Sequence, residues 1–258
     1  MIKNRSFALV YRIAALAIAV TGFLSMMGLF GGGWNFSVLA FYTLQSNVLI
    51  ILLFIMLVVR TVMGLREGNA GEGYTGEGYT DEGNTGEVRV GKNNIGSVGY
   101  FARFEMVCCV NIMLTFLVYW VLLAPRMFIM NDGFPIWTYA NLAVHGFTPL
   151  LCLLDYILFV KPGHLKYTDV YYVCIFPLVY LIGTSIAGLL GYVYFTSAED
   201  GLPIRFPYFF YDFDRIGMLS FLYIGALVVF LIAVGHAFYL VDKARIKRVG
   251  KNTSGVLL

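Results

Sequence analysis

A chain of 258 residues, 59% hydrophobic, 17% aromatic and only 13% charged, lacks the composition of a soluble domain, where about a quarter of the residues carry charge. Its mean hydropathy of +0.77 agrees. The net charge of +3 does not point to nucleic acid, because the basic tail KARIKRVGK reads as a flank facing an anionic membrane surface.

Six apolar stretches, at about 7–30, 38–60, 101–124, 137–160, 171–195 and 216–240, are each long enough to cross a ~30 Å hydrocarbon core. They predict an all-α membrane protein, one six-helix transmembrane domain over 1–258 with a low-complexity loop at 66–99. The first stretch is too long for a signal-peptide h-region and lacks a small-residue cleavage site, so it is expected to remain as a helix. Placing the N-terminus in the cytoplasm puts 15 of the 18 Lys and Arg residues on the inner side. The three others are Arg126, Arg205 and Arg215. Both termini are therefore expected to be cytoplasmic, in a multi-pass protein of the cell membrane.

Helix 2 opens with FYTLQSNVLI, where Thr43, Gln45, Ser46 and Asn47 stand at the head of an otherwise apolar run. Polar groups inside a bilayer are costly and tend to be functional. Thr43 and Asn47 share a face one turn apart, Ser46 is adjacent, and Gln45 points elsewhere. The bland alternative for Thr43 is a back-bond to the carbonyl four residues earlier. The loop that follows helix 2 repeats EGNAG, EGYTG, EGYTD, EGNTG and EVRVG from Glu67 to Gly91. With almost no aliphatic side chains it cannot offset its ordering entropy and reads as a disordered insert. A partner-binding or metal-binding loop is the rival, though the acidic spacing does not fit an EF-hand.

In helix 3, Asn111 and Thr115 share a face near mid-membrane and are candidates for a cavity lining. Cys108, Cys109, Cys152 and Cys174 all fall inside predicted helices, where they act as small apolar thiols. Their spacing matches no metal site, and neither metal nor cofactor is expected. Helix 4, WTYANLAVHGFTPLLCLLDYILFV, carries Asn141, His145, Thr148, Cys152 and Asp155 at spacings of four and three, so all project from one face that should point into the bundle. Pro149 cannot donate to the carbonyl of His145, so the helix should bend there and that carbonyl should need another partner.

Gly183, Ala187 and Gly191 in helix 5 are spaced for close helix packing. The outer segment SAEDGLPIRFPYFFYDFDR is rich in aromatics and reads either as a headgroup-level anchor or as a lid over an outward-opening cavity. Asp155, Arg12, Glu105 and His236 fall at comparable depth near the inner end, where a structural charge network is expected and a proton path is the sharper alternative.

Counting residues from the outer ends places Thr43 ~8 Å and His145 ~12 Å into the same leaflet. A hydroxyl beside an imidazole is the arrangement of a nucleophile and its general base. Asn47 or Asn141 would donate to an oxyanion or orient His145, with Ser46, Asn111 and Thr148 completing the polar lining.

FYTLQSNVLI, His145 followed by Pro149 and Asp155, and the FPYFFYDFDRIG segment together resemble a prokaryotic family of six-helix integral membrane proteins. More distantly they resemble the androgen-induced-gene and ADTRP family of transmembrane threonine hydrolases. The resemblance covers all six helices but not the pentad loop. It implies cleavage of fatty acid esters of hydroxy fatty acids, with Thr43 as nucleophile and His145 as its histidine. The expected partner is thus a membrane lipid or acyl lipid, and the rival is a non-catalytic binder or transporter of a small ligand or lipid.

Overall fold

The computed structural model describes residues 2–31, 33–70, 99–125, 128, 136–197 and 200–254, with 67–70 and 247–254 as backbone only. The pentad repeats lie almost entirely outside the described residues. Six helices among the described residues are long and apolar enough to cross a membrane. They are α1 (Arg5–Met26), α2 (Tyr42–Ala70), α3 (Ala102–Leu123), α4 (Tyr139–Phe159), α5 (Tyr167–Leu189) and α6 (Leu219–Ser254). A two-stranded antiparallel hairpin, β1 (Phe195–Thr196) with β2 (Pro203–Ile204), sits between α5 and α6.

The helices start and stop for local reasons. Asn4 caps α1 by accepting from the Phe7 N–H, and the Thr138 side chain does the same for α4 at Asn141. Gly28 ends α1 at φ +94, packed so tightly on the Gly33 carbonyl that a Cβ would collide with it. This stops α1 four residues earlier than the hydropathy implies. Helix α2 starts late: Phe36–Ala40 forms a 3-10 turn and the chain bends at Phe41.

Basic side chains close one end of the bundle by capping carbonyls. Arg5 Nη1 donates to the Gly64 carbonyl at 2.7 Å, and Arg245 Nη2 to the Ile157 and Val160 carbonyls at 3.0 Å each. At the C-terminus of α4, Arg245 thus meets the last carbonyls and the negative end of the helix dipole.

Half of the apolar window is buried in α3 and in α4, against 11% in α6. The centre of the bundle is therefore the α3–α4 seam, and α6 lies at its edge. Helix α1 joins the centre through a buried stripe of Ala8, Arg12, Ala15, Ala19 and Gly22. These small residues let it approach so closely that a Cβ on Gly22 would collide with Ala143 of α4. The stripe expected on α5 does not play that part. Gly183 is exposed and nothing stands within 4 Å of a Cβ built there. The close approach is one turn along, where Gly188 meets the Arg205 carbonyl and the Phe206 ring.

Candidate functional site

The polar stripe of α4 points inward. Asn141, His145, Thr148, Cys152 and Asp155 are all at most 5% exposed, while Phe147, Leu150, Leu154 and Ile157 on the other faces are exposed. Pro149 does disturb the backbone above it: Ala143–Phe147 winds as a π-helix. On the facing helix, Val118–Leu123 does the same. Wide turns of this kind leave room for side chains from a neighbour. Trp120 fills that role by donating its Nε1–H to the His145 carbonyl at 2.9 Å, which supplies the partner that Pro149 cannot. Tyr119 stacks on the His145 imidazole with ring centroids 3.7 Å apart and planes 14° from parallel. His145 Nδ1 has no hydrogen-bond partner.

Thr43 stands in the first turn of α2, ~1.5 Å along it, whereas His145 is ~9 Å along α4. The late start of α2 puts Thr43 at the mouth of its helix, while the shared Asn47 donor keeps the Thr43 and Val144 carbonyls side by side. No hydrogen bond joins the two side chains. Asn47 links their backbones: its Nδ2 donates to the Thr43 carbonyl at 2.8 Å and to the Val144 carbonyl at 3.2 Å. Ser46 Oγ donates to the Thr43 carbonyl and meets Thr115 Oγ1, both at 2.9 Å. Gln45 turns away to the Leu39 carbonyl at 3.0 Å.

The Thr43 hydroxyl faces Tyr208, whose phenol also looks onto the first-turn amides of Tyr42 and Thr43. Burial pushes the Tyr208 hydroxyl up to about 12, with Thr43 and those amides pulling the other way. Tyr208 thus stands over the first turn of α2, beside Thr43.

Beside Thr43 lies a cavity of about 80 Å³ between α2, α3, α5 and α6. By volume it has room for several waters or a short run of hydrocarbon. Its wall is aliphatic and aromatic, with Leu178, Leu227 and Tyr180 among the contributors, and the hydroxyls of Thr43, Thr115 and Tyr208 at its polar edge. Tyr119 lines it too, so His145 stands one ring behind the wall. A polar pocket between helices 2 and 4 was the expectation; the space is apolar and α4 contributes none of its wall.

Phe206, Tyr208, Phe210 and Tyr211 are all buried, and the last three line the cavity. That corrects the anchor reading of this segment in favour of a lid. Tyr211 donates to Thr184 Oγ1 at 3.1 Å, and Tyr180 to the Ala40 carbonyl at 2.9 Å, which ties the lid to α5 and to the approach of α2.

Of the other polar candidates, Asn111 and Asn141 have structural partners and Thr148 does not. Asn111 accepts from the Tyr42 hydroxyl at 2.6 Å and donates to the Val107 and Val173 carbonyls. Asn141 donates to the Ile136 carbonyl at 3.3 Å and meets the Tyr119 hydroxyl. Thr148 is fully buried against the α4 turn with its hydroxyl unpartnered.

At the basic end, Arg12 grips Asp155 with two 2.9 Å bonds and donates to Thr61 Oγ1 at 2.8 Å. His236 does not join this network. Its Nδ1 meets the Ile232 carbonyl at 2.8 Å, and its ring sits among Tyr167 and Tyr171.

Tyr119, Trp120 and Tyr208 escape a reading by polar residues alone, since their rings pass as packing. The signal available was Pro149, which demanded a donor for the His145 carbonyl. Comparison with protein-family models, with curated proteins and with solved structures returns no match for this chain.

Proposed function

We propose that the protein is a multi-pass membrane protein that binds an acyl lipid in the cavity beside Thr43. The chain would enter between the helices, and its ester or headgroup end would meet the hydroxyls of Thr43 and Tyr208. The carrying observation is a cavity with an almost wholly apolar wall, to which Thr43 and Tyr208 contribute and which the aromatic segment Tyr208–Tyr211 borders. Sites for apolar ligands have this make-up, with a few convergent polar groups fixing orientation. With both termini cytoplasmic, the Thr43 side of the cavity faces the outer side of the membrane. The test is lipid retained through purification: wild type should carry stoichiometric acyl lipid by native mass spectrometry, and Leu227→Trp, which fills the cavity, should lose it. Equal lipid on both proteins would reject the site.

A second reading is an intramembrane ester hydrolase with Thr43 as nucleophile and His145 as general base. Two observations favour it, the Thr43 hydroxyl on the cavity wall and an imidazole without a partner at Nδ1. Thr43 Oγ1 would attack the acyl carbonyl while His145 takes its proton and returns it to the leaving alkoxide; water then releases the acid. The stacked Tyr119 ring has to swing aside for this, and catalytic contacts do tighten on substrate binding. Labelling by a fluorophosphonate probe in membranes should vanish in Thr43→Ala and fall at least tenfold in His145→Ala. Unchanged labelling leaves binding without catalysis.

A further inference from the structure

Glu105 is a fully buried carboxylate on α3, and no N–H or O–H donor bonds either of its oxygens. The group within hydrogen-bond reach is the side chain of Asp155 on α4. Asp155 is already committed: its two oxygens receive Arg12 Nε and Nη2. One guanidinium thus faces two carboxyl groups in a site without water access. Two ionised carboxylates in contact repel strongly, and pairs so placed share a proton. A neutral Glu105 would also donate the hydrogen bond that makes the contact favourable.

We propose that Glu105 is a proton-binding site, forming with Asp155 a carboxyl–carboxylate pair that holds one proton beneath the Arg12 guanidinium. With that proton the cluster is neutral: one guanidinium, one carboxylate, one carboxylic acid. Among the described residues named around the pair, none adds a second cation. Thr61 of α2 is a neutral acceptor for Arg12, and Tyr11 of α1 donates to the Leu151 carbonyl. Cys109 and Cys152 stand one turn further along the same seam, with sulfurs 3.1 Å apart, and Cys108 is their neighbour. Tyr156 of α4 faces the site. Asp242 of α6 is occupied by the Gly163 amide, and Asp169 of α5 by Arg103. Ionisable groups within a membrane bundle are functional candidates by default, and the ligand of this one is the proton.

The experiment uses the full chain in lipid nanodiscs. Infrared spectra at about pH 7 should show the carbonyl stretch of a protonated carboxylic acid that shifts in D₂O, and Glu105→Gln should abolish it. The glutamine retains a donor towards Asp155, so the variant should fold. If Glu105→Gln does not fold, the wild type alone decides by dicyclohexylcarbodiimide, which modifies buried protonated carboxyls: an adduct at Glu105 is expected. No band and no adduct would overturn the proposal. So would stability that rises with sodium concentration, since a metal cation would then hold the pair.

Discussion

Asn47 shows how much a single amide can carry. One Nδ2 serves carbonyls on two helices, so Asn47→Ala leaves the Val144 carbonyl without its side-chain donor, the Thr43 carbonyl with Ser46 Oγ in place of two side-chain donors, and the two turns uncoupled. A loss of about 1–3 kcal/mol is expected, read from unfolding in detergent. Arg12 is the more severe case, because its removal strands Asp155 (1% exposed) as a buried charge. Arg12→Met should cost about 3–5 kcal/mol, while Arg12→Met with Asp155→Leu should recover most of it. A double variant as unstable as the single one would show that the ion pair is not the source. Tyr208 offers a pH test. The fold keeps its phenol protonated up to about 12, above the ordinary 10, so stability should fall between these values as pH rises. Tyr208→Phe should lack that part of the alkaline loss. At this scale the sequence was partly legible: Thr43, Asn47 and the α4 stripe stand out as polar groups in oil. Tyr119 and Tyr208 do not, since an aromatic ring reads equally well as packing.

The informative elements are the paired π-turns of α3 and α4. A proline removes one donor, the backbone widens, and the facing helix widens to deliver an indole N–H to the orphaned carbonyl. Trp120→Phe should therefore cost about 1–3 kcal/mol in the native background. The cost should shrink in Pro149→Ala, where the backbone can supply its own N–H to His145. A double-mutant cycle measures this coupling, and additivity within about 0.5 kcal/mol would refute it. Pro149 announced the broken bond in advance, but the donor's identity depended on tertiary contact and was not legible. Helix ends were misjudged for a related reason. Apolar residues continue past Met26 and precede Tyr42, yet Gly28 and the bend at Phe41 set the limits. That shift of α2 moved Thr43 to the helix mouth, which hydropathy alone cannot register.

For the molecule as a whole, the hydrophobic period yields six helices and an inward polar stripe, because burial and span length are properties of the chain itself. The cavity is different, since it lies between α2, α3, α5 and α6 and is bordered by the Tyr208–Tyr211 segment. No local pattern encodes such a space. On the proposed reading, binding would depend on the lid and the α6 face, and hydrolysis would require Tyr119 to move off His145. The most direct test is photo-crosslinking with a diazirine-bearing acyl lipid in membranes, mapped by mass spectrometry. Adducts should concentrate on Leu178, Thr115 and Leu227, and fall in Leu227→Trp. Adducts spread evenly over the exposed α6 residues Leu222 and Val229, and unchanged in Leu227→Trp, would contradict a lipid-binding cavity.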